Sequence, residues 1–323
     1  MTANRLEYID LARAVAVVSV IAYHFLRIDE IWGLSTFINT YFLSLFFFIS
    51  GLLMHPKAEI GWLIKKIKRL LIPLIAFSAL YIPVAAWSND ASLAETIHSM
   101  AWSDSKGGYW FVYTLFAAIT LIWLIHYAYV KWNIPRWVYG FALLLPWIIA
   151  CGLSVTLSQD LSYLLSIPSF RRYYPFILAG MICRQERIQN TIRQTVSYVF
   201  VTIGYLLFTV LSLWKFQTVD SNLSFGIWFV TNLFGCLFII ESCRRMCART
   251  HIHTLTKWLS QDSLGIYLGQ FIIRCATRKP FMALPLSPYI TFLPYTFILL
   301  AASLTATRII RRNSITTKIF LGQ

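Results

Sequence analysis

The sequence predicts an all-α, polytopic integral membrane protein of about ten transmembrane helices, with both termini in the cytoplasm. Three observations carry that expectation. Of 323 residues, 58% are hydrophobic, 16% aromatic and only 13% charged, with a mean hydropathy of +0.64; lipid-embedded helices have this composition and soluble cores do not. Apolar stretches of span length recur from end to end, and no polar stretch is long enough for a separate soluble domain, so residues 1–323 read as a single membrane domain. Lysine and arginine are distributed unevenly about those stretches, as topology requires.

Spans fit at 8–26, 38–54, 70–87, 109–129, 137–155, 172–183, 195–214, 223–242, 262–280 and 288–307. The sixth is short. Asp10 and Arg13 interrupt the first, and no small-residue cleavage site follows it, so it reads as a span and not as a cleaved signal peptide. With the N-terminus inside, nineteen of the 28 basic residues fall in inner segments, among them Lys57, Lys65, Lys66, Lys68, Arg69, Arg244, Arg245, Arg249 and Lys257. Eight fall outside (Arg27, Lys106, Arg171, Arg172, Lys215, Arg274, Arg278 and Lys279), and Arg13 lies within the first span. The net charge of +15 therefore sets topology and attracts anionic headgroups, with part available to an anionic cosubstrate; it does not mark a nucleic-acid binder.

The six cysteines are scattered through or beside the spans and form no disulfide framework. Cys243, Cys247, His251 and His253 lack a standard zinc spacing, so no metal site is expected. No internal repeat supports inverted-repeat transporter architecture.

Chemistry concentrates in the first span, YIDLARAVAVVSVIAYHF. Ionisable groups inside a membrane are costly and usually functional. Arg13 and His24 stand eleven residues apart, which is ~20° past three full turns and ~16 Å along a helix axis. One face then carries a permanent cation near one end and a titratable base near the other, an arrangement suited to a long anionic substrate whose reactive end reaches the histidine. The same pair also reads as a salt-bridged arginine at one interface and an anchoring histidine at the other. Asp10, one turn before Arg13, can pair with it or aim it at a ligand.

Further along, Ser50–Gly51 ends LFFFISG and reads either as a helix-packing notch or as part of a site. Lys65, Lys66, Lys68 and Arg69 precede Pro73; such a cluster orients the protein and can also grip phosphate. Gly107–Gly108 allows a tight turn before Tyr109 and Trp110, aromatics at a span boundary. In QDSLGIYLGQF, Asp262 and Ser263 suit a helix start before Tyr267 and Gln270.

Together these pieces resemble the acyltransferase-3 family of integral membrane O-acyltransferases, in particular bacterial sugar O-acetylases of the fucose 4-O-acetylase type. Arg13 and His24 meet the family's Arg-x10-His pattern, and the flanking YIDLAR is similar. FFFISG at 46–51 is similar to the second-span motif. Lys66, Arg69 and the following Leu70, Leu71, Ile72 and Pro73 resemble the basic segment before span three, with Lys66 where Arg is frequent. Tyr109–Phe111 and Ser263, Tyr267 and Leu268 match weaker motifs, while Gln270 stands where relatives often carry His.

The resemblance implies transfer of an acyl group, acetyl in the first instance, from cytoplasmic acyl-CoA to a hydroxyl of a sugar, polysaccharide or lipid-linked glycan of the cell envelope, in the bacterial inner membrane. No permanently bound cofactor is implied. His24 is then the general base, Arg13, Lys66 and Arg69 hold the donor, and Tyr109, Trp110, Tyr267 and Gln270 support the acceptor side. Asp29 and Glu30, just beyond His24, read either as partners that orient the imidazole or as plain surface residues. The competing classes are a flippase or transporter for a lipid-linked sugar and a non-catalytic envelope assembly partner. A flippase would spread charge over several spans, whereas spans four to eight are nearly charge-free.

Overall fold

The structure, a computed structural model, describes residues 3–215, 222–250 and 254–323. Every regular element among them is helical. α1 (Ala3–Tyr23) runs unbroken through Asp10 and Arg13 and stops short of the expected residue 26, at Tyr23. The second expected span is two helices, α2 (Leu34–Ile38) and α3 (Phe42–Leu52). The residues between them are tied down: the Thr40 hydroxyl donates to the Phe37 carbonyl and meets the Tyr205 hydroxyl at 2.8 Å, and the Asn232 amide donates to the Asn39 carbonyl. Backbone that leaves the helix at membrane depth is tolerated when protein groups satisfy it in this way.

α4 (Ile60–Asn89) begins ten residues before the expected span three and passes through Pro73 and Pro83. The basic cluster is therefore on the helix. α5 (Leu93–Trp102) opens on a capping box between Ser92 and Glu95. α6 (Trp110–Lys131), α7 (Arg136–Thr156), the short α8 (Gln159–Leu164) and α9 (Ile167–Cys183) follow. α9 starts five residues before the expected span six and takes Arg171 and Arg172 into the helix; the Arg171 guanidinium donates to Ser154 and its carbonyl accepts from Trp147. Then come α10 (Glu186–Arg193), α11 (Thr195–Lys215), α12 (Asn222–Cys247), α13 (Thr254–Gln261), α14 (Ser263–Met282), α15 (Pro288–Ile310) and α16 (Ser314–Leu321).

Among the described residues, seven helical stretches are long and apolar enough to cross a membrane: α2 with α3, α4, α6, α7, α11, α12 and α15. The other three expected spans correspond to α1, α9 and α14. The chain forms two compact units, each assembled from three separate segments. The first comprises 1–53, 179–267 and 282–304, the second 54–178, 268–281 and 305–323. In the first, α1 packs against α3, α12 and α13, and α11 against α12. In the second, α4 packs against α5, α6 and α16, and α6 against α7.

One contact in the first unit is closer than side chains permit. A Cβ on Gly180 would lie 2.1 Å from the Phe48 carbonyl oxygen and 2.8 Å from the Leu52 amide nitrogen. Small residues are what allow membrane helices to approach so closely. Gly180→Ala is expected to destabilise the protein by about 1–3 kcal/mol, the cost of overpacking against backbone that cannot rotate away. Thermal unfolding in detergent checks this; an unchanged midpoint would mean the helices separate freely here.

Candidate active site

The residues singled out in the sequence divide between the two units. Asp10, Arg13, His24, Ser50, Gly51 and Tyr267 belong to the first, and Lys66, Arg69, Tyr109, Trp110 and Gln270 to the second.

In the first unit, α1 keeps Arg13 and His24 in helical register. His24 lies one residue past the helix, yet its amide still donates to the Val20 carbonyl at 3.1 Å, so the last turn carries it. Arg13, Val17, Val20 and His24 thus share one face. Val17 and Val20 are buried, whereas Arg13 and His24 are partly exposed at either end of the lane. The His24 imidazole sits edge-on to Tyr23, with ring centroids 5.5 Å apart, and Tyr23 leans on Phe42.

Glu30 is committed elsewhere. Arg27 donates to both of its carboxylate oxygens at 2.6 Å, which holds the Glu30 carboxyl below its ordinary range, and the same arginine also donates to the Leu286 carbonyl. Of the two carboxylates expected near the imidazole, Glu30 is therefore an anchor for the loop, and Asp29 is exposed. At the other end, Asp10 accepts a 2.6 Å hydrogen bond from Ser260, which is 2% exposed on α13. Ser260 lies 250 residues away in sequence and no local pattern pointed to it. Glu7 pairs with Lys257 on the same helix at 3.6 Å.

Ser50 is half-buried, and its hydroxyl donates to Phe46 of its own helix; Gly51 is buried. Tyr267 is 5% exposed on α14. His251 and His253, weighed as metal ligands with Cys243 and Cys247, lie outside the described residues; all six cysteines are free thiols.

In the second unit, Lys66 and Arg69 are one turn apart on α4. The Lys66 ammonium lies 5.0 Å from the Trp62 ring centroid, while Lys65, Lys68 and Arg69 are exposed. α16 covers the neighbouring backbone: Gly322 abuts the Lys68 carbonyl and Phe320 meets Phe77 edge-on.

The turn before α6 is left-handed at three consecutive residues, Lys106, Gly107 and Gly108. Glycine is required there twice over, because a Cβ on Gly107 would strike the Tyr81 ring and one on Gly108 the Phe271 ring. Lys106 itself is 3% exposed; its ammonium donates to the Ala101 carbonyl at the end of α5, and burial pulls its pKa down. This turn drives Tyr109 inward. Tyr109 is fully buried, packs edge-on against Tyr81 and Phe271, and donates its hydroxyl to the Leu268 carbonyl at 3.1 Å. The Tyr109 ring is thus part of the core of the second unit. Trp110 is half-buried against Tyr173.

Gln270 is also fully buried, and neither atom of its amide has a hydrogen-bond partner among the described residues. Buried amides are usually satisfied, so this one has unused capacity to hold a polar group. Gln270→Ala is expected to lower acyl-transfer turnover a few-fold with folding preserved, and Gln270→His to be tolerated or to raise it, imidazole being able both to bond and to exchange a proton. A well-folded but dead Gln270→His protein would show that the position is packed differently from that of relatives.

Residues 6–312 match the family model for an acyltransferase domain. The chain belongs to the acyltransferase-3 family and is a multi-pass membrane acyltransferase. No curated protein and no solved structure matches it.

Proposed function

We propose that the protein transfers an acyl group, acetyl in the first instance, from acyl-CoA to a hydroxyl of a cell-envelope sugar, polysaccharide or lipid-linked glycan, from the bacterial inner membrane and with no permanently bound cofactor. The observation that carries this reading is the α1 face, with Arg13 and His24 ~16 Å apart at the two ends of a buried apolar lane. That distance suits the extended pantetheine arm of a donor. Arg13 then binds phosphate or other polar parts of the donor. His24 takes the proton from the acceptor hydroxyl as that oxygen attacks the thioester carbonyl; the C–S bond breaks, and CoA leaves as the thiolate and takes that proton from the imidazolium. Gln270, with its unused amide, holds a polar group by hydrogen bonds.

Ten spans with both termini inside belong to the same proposal. Contacts within each unit support it. Lys257 with Glu7, and Arg245 with the Arg193 carbonyl, join segments assigned to the inside. Arg27 with the Leu286 carbonyl, Lys279 with Asp90, and Arg278 with Asn89 join segments assigned to the outside. Each pair requires an even number of crossings between its members, so α1, α9 and α14 cross together or not at all. α1 packs against α3 and α12, two of the apolar membrane helices, which favours crossing.

Reporter fusions after residues 60, 133, 188 and 250 are expected to read cytoplasm, and those after 100, 160 and 218 the outer side. A cytoplasmic signal at 160 with an outer signal at 188 would invert the middle of the topology. Purified protein supplied with labelled acetyl-CoA and envelope glycan tests the reaction itself: alkali-labile label should move to the glycan, and its failure to do so with intact donor binding would remove the proposed acceptor.

A further inference from the structure

At the C-terminal end of α12 two arginines share one carboxylate. Glu241, whose side chain is only 3% exposed, accepts from Arg244 at 2.6 Å and from Arg245 at 3.0 Å. Within this cluster one negative charge faces two positive ones, while the carboxylates beside Tyr8 on α1 are engaged elsewhere, Glu7 by Lys257 and Asp10 by Ser260. Each guanidinium also lies on an aromatic ring: Arg244 is 4.7 Å from the centroid of Tyr8 on α1, and Arg245 is 4.3 Å from that of Tyr198 on α11. Stacking fixes the plane of the guanidinium, and with it the direction in which its N–H fork points.

The two arginines differ in what they spend. Arg245 gives a further bond to the Arg193 carbonyl. Arg244 does not: its Nε is buried with no acceptor among the described residues. The hydroxyl of Tyr8, which is 2% exposed and lies against the same guanidinium, is also buried without a partner. Buried donors normally have acceptors, because leaving one unmade forfeits its hydration. Two such donors on side chains stacked against each other, beside a carboxylate that serves two guanidiniums, suit a small multi-oxygen anion.

Tyr8 stands five residues before Arg13, ~140° around α1, so this junction is not on the Arg13–His24 face. It lies at the end of α12 that the proposed topology puts at the cytoplasmic surface, where headgroups of the inner leaflet sit. From it the adjacent α11 presents exposed apolar side chains, including Phe200, Ile203 and Leu207, along which acyl chains can run. Basic pockets between membrane helices on the cytoplasmic side recognise anionic headgroups. We infer that the α1–α12 junction, through Arg244 and Tyr8 at the Arg244–Glu241–Arg245 cluster, binds the phosphate of an anionic inner-leaflet phospholipid. The inference does not depend on the acyl donor or acceptor.

The test is the unfolding midpoint of the purified full-length protein in detergent with phosphatidylcholine, with and without phosphatidylglycerol. The wild type is expected to gain about 3 °C or more from phosphatidylglycerol, as a ligand of the folded state requires. Arg244→Gln and Tyr8→Phe should lose most of that gain, and Arg249→Gln, which removes an exposed charge just beyond α12, should keep it. Tyr8→Phe removes a single oxygen and decides the matter if Arg244→Gln does not fold. No gain in the wild type, or a gain that survives both Arg244→Gln and Tyr8→Phe, overturns the site. An equal gain from inorganic phosphate or from coenzyme A overturns its assignment to a lipid.

Discussion

His24→Ala is expected to abolish acyl transfer while leaving protein level and membrane insertion intact. The imidazole sits on the last turn of α1, tied through its backbone to Val20 and flanked by the Tyr23 ring, so its removal takes away the base without unlocking the helix. A positioned general base contributes roughly 10²–10⁴-fold, and the loss should fall in that range or exceed it where no other group can substitute. Imidazole is suited to the task because it titrates near physiological pH. Turnover of labelled acetyl-CoA in membranes containing equal amounts of the two proteins gives the ratio. A well-expressed His24→Ala protein with normal turnover would remove the general-base assignment.

Arg13→Lys is expected to be far more damaging than its unchanged charge suggests. A guanidinium holds an oxyanion through two parallel N–H bonds and an ammonium holds it as a point charge. Losing a charge-assisted bond costs about 1.5–3 kcal/mol, which is roughly 10–100-fold in donor affinity. Asp10 accepts from Ser260, so that carboxylate has a role on α13 that does not require Arg13. Acyl-CoA binding to purified membranes is the measurement; a wild-type dissociation constant for Arg13→Lys would reduce Arg13 to a structural partner.

The Arg13–His24 alignment was legible because helix geometry alone dictates it. The basic cluster precedes Pro73 as the sequence reads, but the helix that carries it begins earlier than hydropathy suggests. Hydropathy ends a span at the first lysines, whereas lysine and arginine continue a helix readily, so α4 reaches back to Ile60. The same effect hid the start of α9, where Arg171 finds Ser154 as a partner. The break between α2 and α3 depends on Tyr205 and Asn232, which lie far along the chain. Tyr109 was read by its position at a span boundary, but a left-handed turn at Lys106–Gly108 decides where it points, and it points inward. Ser260 beneath Asp10 and the Gly180 approach to α3 are long-range pairings with no local signature.

The most direct test of acyl transfer to an envelope glycan is mass analysis of surface glycans from cells with and without the protein, before and after mild alkali. The account predicts an alkali-labile acetyl mass present only when the protein is present, on a glycan whose amount does not change. Loss of the glycan itself, with no difference in its acylation, would contradict the account and point instead to movement of a lipid-linked sugar across the membrane.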